Sequence, residues 1–190
     1  MALPSMSQPI IGRFDAWSCL SNLTGTADES AAFQSDCGFG RTQGDNRIFT
    51  ISNVHFPSME QAISNVLAQQ VRLSDPKVFV QTDGGGLELH CDPVSVVTWQ
   101  IQSSKTWRIY DAALVPEDIR ALRRAQATPL AAQLLSEFYG TLAARAAMEV
   151  TLTPGDFLVI DAYAPHETCA KGDGQSISMT LERCDDAVSQ

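Results

Sequence analysis

The sequence predicts a mainly β protein, a small β-sandwich or barrel interrupted by one helical block. Short runs of β-branched and aromatic residues recur along the chain, separated by turn signals at short intervals. Helical periodicity is limited to one stretch that precedes most of these runs and one block that lies between them. The 190 residues suffice for one domain with a sizeable core. We therefore expect residues 1–190 to form a single domain.

The first part of the chain carries the weakest pattern. Residues 1–46 have no clear period, so we expect an irregular N-terminal region that begins with a frayed terminus at 1–12. The stretch from residue 13 is rich in Ser, Gly, Asp and Thr, and we expect an antiparallel strand or a short helix there, together with a long loop that is a candidate lid. Residues 47–54 are β-type and predict the first clear strand.

An amphipathic helix follows this strand. Apolar residues recur at helical spacing over residues 59–71, and the Ser-Asp-Pro sequence at 74–76 is expected to end the helix. Residues 78–81 predict the next strand. The three glycines at 84–86 are followed by neither a Lys-Ser/Thr pair nor a helix, so a turn is favoured over a phosphate-binding loop.

Two β-type runs come next. Residues 94–101 form a nearly continuous apolar strand, and residues 105–110 form a second strand. The polar residues 102–104 between them predict a hairpin turn.

The block at 115–148 changes character and is predicted to be a helical insert. Its first helix opens at Pro116, acidic at its start and basic at its end, as the helix dipole favours. Its second helix is capped by Thr128. The apolar residues of the second helix that we expect to be buried are Leu130, Leu134, Leu135, Phe138 and Leu142.

The last third of the chain returns to the β pattern. Short strands are predicted at 150–152 and 157–160, with a Pro-Gly turn at 154–155 between them. After a loop through 172–174, apolar and polar residues alternate over 176–181. This alternation predicts a further strand.

Composition excludes several classes of function. The net charge is -9, and the basic residues form no cluster beyond Arg120, Arg123 and Arg124, so nucleic acid is not an expected partner. The five cysteines show no CxxC spacing, which is typical of a reduced, cytoplasmic protein. No signal-peptide pattern or membrane-spanning run is present. An exposed apolar face on the helix at 128–147 would favour a homodimer, but the sequence leaves the oligomeric state open.

Two histidines and one aspartate form a candidate metal site. His90 and Asp92 are two residues apart in a β-type run, so in an extended chain both side chains leave the same face. His166 follows a second apolar run and a Tyr-Ala-Pro corner. Two histidines and one carboxylate are the facial ligand set of non-haem Fe(II) oxygenases. A chance His-x-Asp pattern is the alternative, and we interpret the third histidine, His55, as an ordinary surface or structural residue.

Lys105 offers a second clue. If its side chain points into the barrel, the buried ammonium requires an anionic partner. Beside Fe(II), that partner would be the distal carboxylate of 2-oxoglutarate, whose keto-acid end chelates the metal. An exposed lysine after the Ser-Ser turn is an equally open interpretation.

Three segments resemble the JmjC-type cupin oxygenases, in particular the asparaginyl and ribosomal-protein hydroxylases. They are His-Cys-Asp at 90–92, Lys-Thr-Trp-Arg-Ile-Tyr at 105–110, and Thr-Pro-Gly-Asp-Phe-Leu-Val-Ile-Asp-Ala-Tyr-Ala-Pro-His at 153–166. The similarity extends over about residues 78–182. It implies a double-stranded β-helix (cupin or jelly-roll barrel) with a flanking helix and a two-helix insert. It also implies Fe(II) at His90, Asp92 and His166, and 2-oxoglutarate at Lys105.

The sequence also departs from the family pattern. Relatives often carry Thr or Ser three residues before the first histidine, where this chain has Leu87. Ala164 and Pro165 stand where an aromatic pair is usual. We expect a hydroxyl from Thr98, Ser176 or Ser178 to serve the co-substrate instead. Gln81, Trp99, Trp107 and Tyr163 are the candidates for the substrate side or the pocket wall, with core packing as the alternative for each.

The resemblance implies an Fe(II)- and 2-oxoglutarate-dependent dioxygenase that uses O2 and hydroxylates an unactivated C–H bond, releasing succinate and CO2. The C-terminal dimerisation and winged-helix domains of the ribosomal oxygenases are missing from this sequence. We therefore expect a small molecule, an amino acid, or a short or carrier-bound peptide as substrate. The alternatives are a metal-dependent cupin enzyme that does not use 2-oxoglutarate and a non-catalytic cupin that only binds a ligand.

Overall fold

The computed structural model describes residues 10–13, 42–43, 46–50, 57–125, 128–171 and 176–185. Within these ranges the chain is mainly β-strand, which confirms the predicted fold class. The strands are β1 (Ile10–Arg13), β2 (Thr42–Gln43), β3 (Asn46–Thr50), β4 (Val71–Gln81), β5 (Gly86–Leu87), β6 (Ser95–Gln102), β7 (Ser104–Ile109), β8 (Met148–Leu152), β9 (Asp156–Ile160), β10 (His166–Lys171) and β11 (Ser176–Asp185). The helices are α1 (Pro57–Leu67), α2 (Glu117–Arg124) and α3 (Pro129–Ala143). His55 and the loop at 172–174 lie outside the described residues.

The strands form two main antiparallel sheets. The larger sheet has six strands in the order β1-β9-β6-β11-β4-β3. The smaller sheet has three strands in the order β10-β7-β8, and the short pair β2-β5 lies beside β10. The two sheets pack face to face as a jelly-roll sandwich, as the resemblance to cupins implies.

Apolar side chains cover both faces of the larger sheet. The inner cluster lies between the sheets and contains Val96, Trp107, Ile109, Leu152, Leu158, Ile160 and Ala164. The outer cluster lies between the larger sheet and α1 and contains Met59, Ile63, Val71, Leu73, Val97, Trp99, Phe157, Val159, Met179 and Leu181. On these strands, the side chains that point inward and those that point outward are therefore both buried. Polar side chains on the inner face are buried between the two sheets.

Two stretches of the region 1–46 are strands in the structure. One is β1, where we expected a frayed terminus, and the other is β2, in the part where we expected a strand or a short helix beside a long loop. β1 pairs with β9, and Ile10 lies opposite Val159. β2 pairs with β5. β1 is an edge strand, and half of Ile11 is exposed. A strand with little burial shows no alternation of apolar and polar residues, which is why the sequence did not reveal it.

The predicted end of the first helix at 74–76 was wrong. α1 ends at Leu67, Ala68 adopts a positive φ of 53°, and β4 already begins at Val71. The N–H groups of Val71 and Leu73 donate to side chains of α1, Ser64 Oγ at 3.0 Å and Glu60 Oε1 at 2.9 Å. The register between β4 and β11 shifts opposite residues 75–76, so the proline sits at an irregularity where a missing N–H is tolerated.

The predicted hairpin at 102–104 was also wrong. β6 pairs with β9 and β11 in the larger sheet, whereas β7 pairs with β8 and β10 in the smaller sheet. Ser103, with a positive φ of 55°, carries the chain from one sheet to the other. Lys105 therefore approaches the barrel interior from the sheet opposite β6.

α2 and α3 follow β7 and precede β8. Thr128 caps α3 as expected, since its hydroxyl accepts a hydrogen bond from the N–H of Ala131 at 3.1 Å. The predicted burial of α3 was partly wrong, because Leu130 is 65% exposed and Leu134 is 39% exposed. The buried residues of α3 are Ala131, Leu135, Tyr139 and Leu142. None of the helices in the described ranges is long and apolar enough to cross a membrane.

Candidate metal centre

The backbones of His90 and His166 pair directly. The N–H of His90 donates to the carbonyl of His166 at 3.0 Å, and the N–H of His166 donates to the carbonyl of His90 at 2.7 Å. His90 thus joins the edge of the smaller sheet through an isolated bridge rather than as part of a strand. The two imidazole centroids lie 4.4 Å apart. Residues far apart in the sequence are brought side by side in this way.

Asp92 completes the group, although the chain beyond His90 is a loop. Its Oδ2 lies 3.9 Å from Nε2 of His90 and 3.7 Å from Nε2 of His166. The ligand atoms of the three residues all lie within 4.8 Å of one another. Two atoms that each bind one ion at about 2.1 Å lie no more than about 4.2 Å apart, so the carboxylate and each imidazole can share a metal ion.

Both imidazoles are oriented by backbone carbonyls. Nδ1 of His90 lies 2.7 Å from the carbonyl oxygen of Glu88, and Nδ1 of His166 lies 2.9 Å from that of Ala164. A carbonyl only accepts hydrogen bonds, so Nδ1 carries the proton in both rings. Nε2, on the other side of each ring, faces the carboxylate of Asp92. This carbonyl–histidine arrangement is the usual support of metal-binding histidines.

The charge states of the group also suit a cation. Burial lowers the pKa of His166 to about 4, so its imidazole is neutral at neutral pH. Burial by itself would raise the pKa of Asp92, but the neighbouring His90, His166 and Arg123 outweigh it and lower the pKa. A neutral imidazole and an ionised carboxylate are the forms that bind metal.

Arg123 of α2 is a neighbour of the group that sequence reasoning missed. Its Nη2 lies 3.5 Å from Oδ1 of Asp92, and its Nε donates to the carbonyl of Cys91 at 2.6 Å. The sequence showed Arg123 only as one of three arginines on a helix, which usually indicates a solvated face. No local pattern predicts that this arginine turns inward.

Lys105 points into the space between the sheets and is only 2% exposed. Its Nζ donates to Oγ of Ser178 at 2.5 Å and lies 5.6 Å from the centroid of the Phe79 ring. Burial lowers the pKa of Lys105 to about 7. Among the described residues no carboxylate forms an ion pair with it, so an anion that enters from outside would stabilise the charged form.

The other polar candidates differ in their proximity to Lys105. Of the three hydroxyl residues, only Ser178 contacts the lysine. Ser176 accepts from the side chain of Gln100 at 2.8 Å, and Thr98 accepts from Thr180 at 3.3 Å. Both are buried on the inner face of the larger sheet.

Gln81 lies opposite Ser176 in the β4–β11 register, two residues beyond Phe79. Its side chain therefore faces the Lys105 end of the interior. It is 1% exposed, and neither amide atom has a hydrogen-bond partner among the described residues. An orphaned buried amide is costly, so this end of the interior is suited to a polar ligand.

The structure separates the two candidate tryptophans. Trp107 lies between the sheets, and its ring centroid is 5.8 Å from that of His166. Its position on β7, two residues after Lys105, makes it a wall between the imidazole and the ammonium. Trp99 lies on the outer face of the larger sheet, under α1. The prediction that Trp99 borders the pocket was wrong.

Tyr163 lies behind the aspartate rather than between the sheets. Its N–H donates to the carbonyl of Asp92 at 2.7 Å, and its φ is 62°. The guanidinium groups of Arg120 and Arg124 pack on its ring, with their Cζ atoms 5.1 and 5.7 Å from the ring centroid. The residue fixes the loop of Asp92 through its backbone.

The JmjC domain family matches residues 54–187 of the chain. No curated protein sequence matches it. Among solved structures, a cupin superfamily protein from Desulfitobacterium hafniense DCB-2 is 11% identical with a TM-score of 0.41, covering 74% of this chain and 79% of that chain.

Two further solved structures are larger. The ribosomal oxygenase YcfD from Escherichia coli is 19% identical with a TM-score of 0.44, covering 75% of this chain and 32% of that chain. The oxalate decarboxylase of Lactobacillus farciminis, in a formate complex, is 16% identical with a TM-score of 0.41, covering 75% of this chain and 30% of that chain. This chain therefore spans about a third of the length of each of these two proteins.

Proposed function

This chain belongs to the JmjC domain family, and we propose that it acts as an Fe(II)- and 2-oxoglutarate-dependent dioxygenase. The observation that carries the proposal is the pairing of two features in one barrel interior. The Nε2 atoms of His90 and His166 converge on the Asp92 carboxylate, and the buried ammonium of Lys105 has no carboxylate partner among the described residues.

The donor set supports Fe(II) as the metal. Two imidazoles and one carboxylate are the ligands found in non-haem Fe(II) oxygenases, where they leave coordination positions open. His90, Asp92 and His166 would hold the ion. Backbone carbonyls orient the two imidazoles, and Arg123 orients the carboxylate.

The polar end of the interior supports 2-oxoglutarate as the co-substrate. Lys105 and Ser178 would hold its distal carboxylate, and the unpaired amide of Gln81 lies at the same end. Lys105 is paired with Ala170, four residues along β10 from His166, which is roughly 13 Å of strand. An extended lysine side chain and a five-carbon diacid can together bridge this separation.

When bound, Fe(II) and 2-oxoglutarate supply the oxidative chemistry, in which O2 converts the keto acid to succinate and CO2 while a substrate C–H bond becomes C–OH. The protein's own residues hold the metal ligands in the binding form and exclude water from the site. His166 is held neutral by burial, and Asp92 stays ionised beside Arg123. Trp107 and the inner cluster exclude water from the space between the sheets.

We further propose a small molecule, an amino acid, or a short or carrier-bound peptide as the substrate. Asp92 and Tyr163 are only half-buried, so an approach to the metal group exists on their side.

The free thiols of Cys91 and Cys169 support the proposal that the protein works in the reducing cytoplasm.

The test is an anaerobically Fe(II)-loaded protein that is given O2 and 2-oxoglutarate, with a panel of amino acids and short peptides. Succinate is followed by NMR, and O2 with an electrode. We expect succinate release even without substrate, and faster release with the correct substrate. Consumption of O2 without succinate would instead indicate a metal-dependent cupin that does not use 2-oxoglutarate. Binding of neither metal nor 2-oxoglutarate would indicate a non-catalytic ligand-binding cupin.

A further inference from the structure

Cys91, between the two metal-group residues His90 and Asp92, lies outside any strand. Cys91 is fully buried, so its backbone N–H and its carbonyl both need hydrogen-bond partners. Both partners come from the helical insert. The hydroxyl of Tyr139 on α3 accepts from the N–H of Cys91 at 3.2 Å, and Nε of Arg123 on α2 donates to the carbonyl at 2.6 Å. The insert thus replaces the hydrogen bonds that a neighbouring strand would supply.

The same arginine also orients the carboxylate of Asp92. Nη2 of Arg123 lies 3.5 Å from Oδ1, whereas Oδ2 faces the two imidazoles. The guanidinium is a rigid planar fork, so its contact with the Cys91 carbonyl fixes where its second contact falls. One side chain therefore sets both the backbone position and the carboxylate rotation.

The insert is also joined to the segment at 89–91 by apolar packing. α2, α3 and the segment at 89–91 contribute to one apolar cluster, which includes Cys91. Its fully or largely buried members are Val115, Ile119, Leu135, Tyr139 and Leu142. Tyr139 also lies 3.3 Å from Sγ of Cys91, so its hydroxyl meets both the backbone and the thiol of that residue.

We propose that the helical insert is a positioning element of the metal centre, acting through Tyr139 and Arg123. These two residues hold the segment from Cys91 to Asp92 in the one conformation that turns Oδ2 toward the imidazoles. The inference rests on the proposed function only in requiring that His90, Asp92 and His166 bind a metal ion. Neither Tyr139 nor Arg123 is a metal ligand.

The experiment compares Co(II) binding by the full-length apo protein and its variants. Affinity is measured by titration calorimetry, and ligand geometry by the visible absorption of the bound Co(II). Tyr139→Phe removes one hydroxyl and leaves the ring in place. Arg123→Met removes both contacts and keeps an apolar stem. We expect each to weaken Co(II) binding at least about tenfold and to alter the absorption spectrum, since partners that orient a ligand typically contribute this much.

Leu142→Val is the matched control, because it shortens an apolar side chain of the same cluster, whereas the hydrogen bonds to Cys91 and Asp92 come from Tyr139 and Arg123. We expect it to lower the melting temperature of the apo protein while Co(II) affinity stays within about twofold of wild type. Arg123→Lys keeps the charge but not the fork, and we expect it to bind Co(II) as weakly as Arg123→Met.

Three results would overturn the inference while leaving the metal centre intact. The first is a wild-type Co(II) affinity in both Tyr139→Phe and Arg123→Met. The second is a loss of Co(II) affinity in Leu142→Val as large as in those variants. The third is a wild-type Co(II) affinity in Arg123→Lys. A wild-type protein that binds neither Co(II) nor Fe(II) would instead overturn the proposed function, and the inference with it.

Discussion

The ammonium of Lys105 on β7 donates a 2.5 Å hydrogen bond to the hydroxyl of Ser178 on β11, across the space between the two sheets. The two residues belong to strands that share no ladder. This polar contact thus links the two sheets inside the barrel. Because burial lowers the pKa of this lysine to about 7, the contact leaves the charge poorly compensated. Two predictions follow from this lysine.

The stability of the apo protein should depend on pH through Lys105. Its folded-state pKa of about 7 lies below its ordinary value of 10.5, so the unfolded chain binds the proton more tightly. Burial of the charged lysine lowers the free energy of unfolding by its full amount below pH 7. This loss becomes smaller as the pH rises from about 7 toward 10.5. Lys105→Met should therefore stabilise the apo protein at pH 6.5, with a gain that shrinks at pH 9. Urea unfolding at both pH values measures this gain, and a gain independent of pH would contradict the prediction.

Lys105→Ala should weaken 2-oxoglutarate binding about ten- to hundredfold, because it removes a charge-assisted hydrogen bond to the distal carboxylate. Co(II) affinity should stay close to wild type, since the lysine is not a ligand. Calorimetric titration of the metal-loaded protein measures both affinities. Lys171→Ala is the control, because Lys171 is an exposed lysine on the neighbouring strand β10. Equal 2-oxoglutarate affinity in Lys105→Ala and wild type would remove Lys105 from the pocket.

Asp92→Asn should abolish tight binding of Fe(II) and Co(II). The amide keeps the shape of the side chain but lacks the charge that a divalent cation requires from its one carboxylate ligand. The measurement is the rise in melting temperature on adding metal, which should be present in wild type and absent in the variant. Glu149→Gln, on the exposed side of β8, should retain the full rise. A full rise in Asp92→Asn would show that the ion binds elsewhere.

Gly86→Ala should destabilise the protein and weaken metal binding. An added Cβ would lie 1.7 Å from the carbonyl oxygen of Thr168, a backbone atom that cannot move without parting β5 from β10. This separation would break the 2.9 Å hydrogen bond from the N–H of Leu87 to Thr168 and shift His90, four residues after Gly86. Thermal melting and Co(II) titration measure the two effects.

Gly140→Ala is the control for this substitution. Gly140 lies in α3 with open space around its Cα, and alanine in a helix is favoured over glycine by up to about 1 kcal/mol. It should keep or raise the melting temperature and leave Co(II) affinity unchanged. If the two variants behave alike, the close approach of β5 to β10 does not matter for the metal group.

Much of the fold could be predicted because most strands are short apolar runs between turns. The JmjC resemblance, drawn from the segments around His90, Lys105 and His166, is confirmed by the family match over residues 54–187. Edge strands such as β1 were missed because a strand exposed on one side and poor in alternation resembles a loop. The strand β4 was assigned too late because its first residues are bonded to helix side chains, which is a tertiary contact.

The sequence could not predict on which face of the larger sheet an individual side chain lies. Trp99 and Thr98 are both fully buried although they point to opposite faces, because α1 covers one face and the smaller sheet covers the other. Alternation of polarity, the signal that assigns side chains to faces, is therefore weak there. Arg123 was missed for a related reason, since only the docking of α2 onto Cys91 turns it toward Asp92.

The order of strands in the larger sheet constrains how the molecule forms. β11 lies between β4 and β6, although it begins at Ser176 and those two strands end at Gln81 and Gln102. During synthesis, the edges of β4 and β6 that pair with β11 have no native partner until β11 has emerged. His90 likewise has no partner for its backbone bridge until His166 has been synthesised. Pairing at such long sequence separation folds slowly and exposes strand edges in the meantime. We therefore expect slow refolding and a nascent chain that aggregates readily until β11 is inserted.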